Sequence, residues 1–350
     1  MIDPVAQRSR SDELAAKVAF LRTPRAYPHA PASVEAIETN MAWVFLAGDR
    51  AYKLKKPVRY PFLDFSTREL RERDCAQEVR LNRRLAPGVY RGVVALLETA
   101  DGSLALDADG APPAGARVVD WLVRMRRLPE ARMLDRAIAA GSVRTEDIDR
   151  VGRVLRAFYA GLAPAAIAPA AFLARFAREQ GTTRELLMQM QERIDGGSVE
   201  QVLDRVDAAM HALADSLARR VTEGHVVEGP GDLRPEHVCL AEPVAIIDCL
   251  EFNLELRLVD PAEELVFLGL ECELAGAAWV GPRLLAHCSG VIGEVSPALC
   301  AFYKAHRALV RARLALAHLH QPAAREAGKW APLARRYLEA GAAALDGAGL

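Results

Sequence analysis

Apolar and polar positions change their spacing twice along the 350-residue chain. In SDELAAKVAFL, residues 11–21, Leu14, Val18 and Leu21 recur at helical intervals behind a Ser/Asp cap, which predicts a helix ending before Pro24. RTPRAYPHAPA is a proline-broken connection. VEAIETNMAWVFLAGDRAYKLKKPV then breaks into short β-prone runs separated by TNM and GDR, the pattern of consecutive antiparallel hairpins. STRELRERDCAQEVRLNRRLAPG predicts one long helix, opened by a capping box from Ser66 to Glu69 and stopped at Pro87-Gly88. VYRGVVALLE, SLALDA and GARVVDWLVRMRRL read as further strands, with GAPPAG as a loop. From about Pro129 the pattern is helical and rich in Ala, Leu and Arg, interrupted by a short strand pair around 237–249. The expectation is an α+β chain without internal repeats. A small antiparallel-sheet part with one long helix precedes a larger, mainly helical part.

Composition narrows this only slightly. Half the residues are apolar, enough for a substantial core, and the formal net charge is −1. That balance argues against a nucleic-acid binder working through bulk positive charge, though not against a local basic patch. The cysteines Cys75, Cys239, Cys249, Cys272, Cys288 and Cys300 form no CxxC pair, and reduced, mostly buried thiols are expected. The N-terminus lacks an apolar signal core, and no window offers 18 uncharged apolar residues. A cytoplasmic protein with no membrane or nucleic-acid partner is the expectation, while oligomeric state has no signal in the sequence.

Candidate chemistry lies in dispersed ionisable residues. Lys53 in AYKLKK alternates along a strand with Tyr52 and Leu54, so it is either an edge lysine that discourages aggregation or a cation aimed into a cleft to hold phosphate. Glu78 falls in the helical arc of Cys75, Val79, Leu81 and Leu85; buried there it needs a cation, and at the rim of the stripe it would reach water. Asp232 in GPGDLRPEH sits among turn formers, and Asp248 closes the continuously apolar VAIID run, which reads as a buried strand. Two acids on neighbouring loops can hold a divalent cation and accept a proton, although single aspartates more often cap turns and helices. GxxxxGK, GxSxG, HExxH and a strand-linked GxGxxG are all missing.

In that order, a strand Lys, a helix Glu, a loop Asp with a polar side chain five residues on, and a strand-end Asp form the parts list of a kinase-like phosphotransferase. WVFLAGDRAYKLKKPVRYPFLDFSTRELRERDCAQEVRLNRRLAPGVY and GPGDLRPEHVCLAEPVAIIDCLEFN resemble the bacterial aminoglycoside phosphotransferase family, in a poorly characterised branch. The likeness runs from about residue 33 to the last helices. It implies a protein-kinase-like two-lobed fold: an N-terminal helix and connection over 1–32, a nucleotide-binding lobe over 33–128 and a helical lobe over 129–350. It further implies ATP-dependent transfer of the γ-phosphoryl group to a hydroxyl of a small-molecule acceptor, with magnesium or manganese. Lys53 would bind the α/β-phosphates, with Lys55 as an alternative, and Glu78 would orient it. Thr39 and Asn40 would lie in the phosphate-covering turn, and Met125 to Leu128 would offer backbone groups to adenine. Asp232 would be the catalytic aspartate, with Asp248 and His237 at the metal.

Two departures stand out. Pro230 occupies the position where the family usually has His, and His237 replaces an Asn metal ligand although imidazole suits softer ions than magnesium. His237 has a purely structural alternative as a hydrogen-bonding member of the loop. These departures favour a second reading, a catalytically weak nucleotide-binding or regulatory module. A third, a helical scaffold, requires Lys53 and Glu78 to be independent surface groups. After the second motif, Glu251 is expected to line or brace the acceptor pocket and Asp260 to be structural. Glu263 and Glu264 are expected to complement a helix dipole, and Arg307 and Arg311 to form a solvated stripe.

Overall fold

The computed structural model describes residues 4–107, 114–194, 199–320 and 327–350. The chain divides into two units: residues 1–132 with 241–256, and residues 133–240 with 257–350. Most of the loop expected over Gly110–Gly115 lies outside the described residues.

The first unit begins with helix α1 (Pro4–Leu21). Strands β1 (Val34–Glu38), β2 (Ala42–Ala47) and β3 (Arg50–Lys55) follow as hairpins, then the short pair β4 (Arg59–Tyr60) and β5 (Leu63–Asp64). Helix α2 (Arg68–Asn82) precedes β6 (Tyr90–Glu98), β7 (Leu104–Leu106) and β8 (Arg117–Arg126). Six strands make one antiparallel sheet in the order β1-β2-β3-β8-β6-β7.

Side-chain alternation gives β3 two different faces. Tyr52 and Leu54 join Val18 and Leu21 of α1, Phe45, Val94, Leu96 and Leu122 in a buried apolar cluster. Lys53 and Lys55, on the opposite face, are directed toward α2 and pair with Glu78. Asp120 ties the layers together: Arg71 of α2 grips both its oxygens at 2.8 and 2.9 Å, and Lys17 of α1 reaches it at 2.9 Å. The N-cap of α2 is Thr67, whose side chain accepts from the Leu70 amide, and not Ser66 as expected. The Ser66 amide is drawn back by the Asp64 carboxylate at 2.9 Å, which holds that residue outside the helix.

The second unit is mainly helical. It holds α3 (Leu134–Ala139), α4 (Thr145–Ala160), α5 (Pro169–Gln189), α6 (Gln191–Ile194), α7 (Val199–Ala212) and α8 (Ala214–Thr222). Short strands β9 (Val227–Glu228) and β10 (Val238–Cys239) bracket the GPGDLRPEH loop. The chain then contributes β11 (Ala245–Ile246) to the first unit before β12 (Leu258–Val259), which pairs with β9. Helices α9 (Pro261–Leu274), α10 (Val280–Ile292), α11 (Pro297–Ala317) and α12 (Ala327–Ala348) complete it. Asp260 caps α9 through the Ala262 amide and binds Arg220 and the Tyr303 hydroxyl, the structural role anticipated for it.

All six cysteines are free thiols, with Cys300 half-buried and the others buried. No single helix among the described residues is long and apolar enough to cross a membrane.

Candidate functional site

In the first unit, Lys53 and Glu78 meet as the alternation of β3 and the helical arc of α2 require. The Lys53 ammonium donates to Glu78 Oε1 and to Asp248 Oδ1, both at 2.9 Å. Lys55 donates to Glu78 Oε2 at 2.8 Å and to Glu251 Oε1. Glu78 therefore accepts from two lysines, one per oxygen, and the ionic chain Asp248–Lys53–Glu78–Lys55–Glu251 closes through the short backbone segment 248–251. Lys55 is 1% exposed and further covered by the Phe65 ring, so it offers no ammonium to a ligand; Lys53 is 18% exposed and does. Glu251 is a buried brace on Lys55.

The electrostatics follow from burial and pairing. Burial alone would push the Lys53 ammonium down, but Asp248, Glu78 and Glu251 raise it well above the ordinary lysine range. Burial would raise the Glu78 carboxyl, yet Lys53 and Lys55 hold it below the usual value. Glu251 is raised by burial, with Lys55 opposing and Glu78 adding to the rise. Three carboxylates share two ammonium groups, and Glu251 takes up a proton more readily than Glu78.

Asp248 is held by its own segment. Its backbone is left-handed, with φ 62°, a conformation that aspartate tolerates better than most residues. The Asp248 amide donates to the Tyr90 hydroxyl at 3.3 Å, the Cys249 amide to Asn82 Oδ1 at 2.9 Å, and the Ile246 amide to the Leu85 carbonyl at 3.4 Å. Asn82 lies one turn beyond Glu78 and donates to its carbonyl, so α2 supplies both the lysine's partner and the anchor for the Asp248 segment. The strand itself ends at Ile246, two residues earlier than the apolar run suggested.

The turn bearing Thr39 and Asn40 is exposed, and the Thr39 hydroxyl bonds back to Ala42 at 3.0 Å. Met125 is the penultimate residue of β8, in register with Ala51 and Tyr90, and Leu128 follows the strand. Between them the Arg126 and Arg127 amides already donate to Val89 and Asp49 carbonyls at 2.8 Å.

In the second unit, Asp232 lies on the loop between β9 and β10. Arg234 Nε donates to Asp232 Oδ2 at 3.0 Å, and its other nitrogens meet Glu236 at 2.6 Å and His237 Nε2 at 3.3 Å. His237 Nδ1 lies 2.8 Å from the Asp232 carbonyl. A guanidinium only donates, so Nε2 accepts and Nδ1–H donates, and both ring nitrogens are engaged within the loop. Among the described residues no group of three or more His, Cys, Asp and Glu is poised to hold a metal ion.

The loop rests on a residue that looked like a helix-dipole charge. Glu264, in the first turn of α9, accepts from the Gly231 amide at 2.6 Å and from the Tyr159 hydroxyl at 3.0 Å. Burial pushes its carboxyl up to about 7, with those two donors opposing. A Cβ at Gly229 would come within 2.4 Å of Glu264 Oε2, which accounts for the first glycine of GPGD. Glu263 pairs with Arg307 at 2.9 Å, and Arg311 with Glu271 at 2.9 Å. The solvated arginine stripe is thus corrected: Arg307 pairs with buried Glu263 and Arg311 with half-buried Glu271, both on α9. Tyr90 and Asn82 carried no separate signal in the sequence, because each acts on the Asp248 segment, distant along the chain; Arg234 was missed although its partners Asp232, Glu236 and His237 are close by.

No protein-family model matches the chain. It is 33% identical over 286 residues to uncharacterised proteins of Mycobacterium tuberculosis and Mycobacterium bovis, an overlap of 80% of this chain and 54% of each relative. The chain thus spans about half the length of the curated relatives it matches. Among solved structures it is similar to a complex of APH(2") with GDP and kanamycin, with TM-score 0.53, 15% identity and coverage of 93% of this chain and 97% of the other. It is also similar to the choline kinase LicA of Streptococcus pneumoniae, with TM-score 0.52, 18% identity and coverage of 89% and 93%. A choline/ethanolamine kinase family protein of Mesorhizobium loti gives TM-score 0.50, 17% identity and coverage of 96% and 95%. The six-stranded antiparallel sheet with its lysine-paired helix and the larger helical unit therefore constitute the protein-kinase-like fold shared by aminoglycoside phosphotransferases and choline kinases.

Proposed function

We propose that this chain is a member of the aminoglycoside phosphotransferase family and moves the γ-phosphoryl group of ATP to a hydroxyl of a small molecule. The observation that carries the proposal is the Lys53 ammonium, held at 2.9 Å from both Glu78 and Asp248 and still partly open to solvent. A cation fixed by two carboxylates on a rigid strand suits the α/β-phosphates of a nucleotide. The fold similarity to small-molecule kinases supports the same reaction class.

Each residue then has a task. Glu78 keeps Lys53 in place, and Lys55 keeps Glu78 in place. The Asp248 carboxylate, 44% exposed, is an oxygen donor of the hard type that magnesium prefers, and a magnesium ion held there would neutralise charge on the phosphates. His237, with both nitrogens engaged, acts as the organiser of its loop. Asp232 accepts the proton of the acceptor hydroxyl, with Arg234 fixing the direction of its carboxylate. Thr39 and Asn40 lie in the turn that covers the phosphates, and Met125 and Leu128 border the adenine.

The test is ADP release with magnesium or manganese across a panel of small hydroxyl compounds. Asp232→Asn is expected to lower turnover by about 10²- to 10⁴-fold with nucleotide affinity retained. Lys53→Met is expected to weaken nucleotide binding itself. Pro230 and the Arg234–Asp232 ion pair favour a second reading, a nucleotide-binding module with little catalysis. That reading gains if Asp232→Asn leaves slow background hydrolysis unchanged. Nucleotide affinity indifferent to Lys53→Met would remove both.

A further inference from the structure

The face of the sheet that bears Tyr52 and Leu54 carries a second feature, beyond the α1 cluster. Here β3 and β8 place Arg50 directly opposite Arg126, and Arg124 lies opposite Tyr52 on one side and Gly92 on the other. By alternation Arg50, Arg124 and Arg126 belong to this face, whereas Lys53 belongs to the other. Gly92 sits at an irregularity of β6 between Tyr90 and Gly92, with φ 144°, and a Cβ built there would touch nothing within 4 Å. The bulge is fixed from behind by Arg83, whose guanidinium donates to the Tyr90 carbonyl at 2.9 Å and the Arg91 carbonyl at 3.0 Å.

The result is a cavity of about 410 Å³ lined by Asp49, Arg50, Arg91, Arg124, Met125 and Arg126. Four guanidinium groups line it against one carboxylate, and that carboxylate is 84% exposed and 3.7 Å from Arg50. Like charges directly opposite on adjacent strands destabilise a sheet. Four of them around an indentation, in a chain whose overall charge is −1, form a local concentration of positive charge that the composition does not require. The volume falls in the range of small-ligand sites, and arginine forks match phosphate oxygens in pairs.

We infer that this arginine-lined cavity binds a small, multiply charged phosphate compound at a site separate from Lys53. The occupant is a discrete polyanion and not a nucleic-acid strand, because the positive charge is gathered round one indentation. The inference does not rest on the phosphotransferase proposal, since Arg50, Arg124 and Arg126, which carry the charge, lie on the face of the sheet opposite Lys53.

Inorganic tripolyphosphate titrated calorimetrically into the full chain is the test. Binding is expected in the wild type and in Lys53→Met, and to weaken by about tenfold or more for each arginine removed in Arg124→Gln and Arg126→Gln. Arg126→Gln also relieves a like-charge pair, so its unliganded melting temperature is expected to equal or exceed the wild type, which shows that it folds. Added tripolyphosphate should raise the melting temperature of the wild type and less so that of Arg126→Gln. Binding abolished by Lys53→Met but untouched by the arginine variants would assign the anion to the other face and overturn the inference. No measurable binding would overturn it as well. Single-stranded oligonucleotides that bind more tightly than tripolyphosphate through the same arginines, with affinity growing with length, would replace the small occupant by a nucleic acid.

Discussion

Lys55 separates holding from binding at the scale of single residues. It is almost wholly buried, yet it neutralises Oε2 of Glu78 and Oε1 of Glu251. Removing one partner of a buried pair strands the other charge, which costs about 3–5 kcal/mol. Lys55→Met is therefore expected to lower unfolding free energy by about that amount, and Glu251→Gln by less, because the Glu251 carboxyl is already pushed toward its neutral form. In urea titrations the double variant should recover part of the loss, since contacting residues are not additive. Strictly additive losses would show that the two groups are not coupled. Lys53 and Glu78 were legible in the sequence because strand alternation and helical arc are local rules. The Lys55–Glu251 pair was not, because its members stand 196 positions apart and nothing in either neighbourhood names the other. Arg307 and Arg311 misled for the same reason, and Glu263 and Glu264, at the helix start where they were expected, gave no sign of their partners. Charges near a helix start or along a helix face look solvated until the elements packed on them are known.

Among the elements, α9 is the clearest case of backbone geometry serving a side chain. It crosses α10 so closely that a Cβ at Gly269 would meet the Gly281 Cα at 2.8 Å. Gly269→Ala must part the two helices, and a cost of about 1–3 kcal/mol is expected in the urea midpoint. The same parting would shift the first turn of α9, where Glu264 holds the Gly231 amide, so an effect on the Asp232 loop should accompany the loss of stability. An unchanged midpoint would show that the crossing is slack. The strands of the first sheet and the long helix were readable from their apolar periods and turn residues. The end of β11, the Thr67 cap and the Asp248 conformation were not. Each is decided by a hydrogen bond from elsewhere: Leu85 to Ile246, Asp64 to Ser66, and Tyr90 and Asn82 to the Asp248 segment.

For the whole molecule, Glu264 links stability to pH. Its folded value of about 7 lies above the ordinary 4.5, so the native state holds a proton that the unfolded chain has already released between those values. The associated stability is complete below about pH 4.5 and is lost as pH rises through about 7, a total of about 3 kcal/mol. Glu264→Gln keeps the shape without the titration. The difference in unfolding free energy between wild type and variant should therefore change by about that amount from pH 4.5 to 8, with the wild type losing ground. Parallel curves would refute the assignment. The order of strands and helices was open to reading from the chain at this scale. The return of residues 241–256 to the first unit was not, because a short β-run between helices carries no mark of the sheet or helix it will accompany.

The strand Arg50–Lys55 bears two unrelated duties on its alternate positions. An extra residue inserted between Ala51 and Tyr52 would invert everything downstream of it, turning the lysines toward the apolar layer and Tyr52 and Leu54 toward Glu78. Such a lesion would strike scaffold and chemistry in one stroke. Variation in length is tolerable at the Gly48-Asp49 corner only when the pleat beyond it keeps its phase.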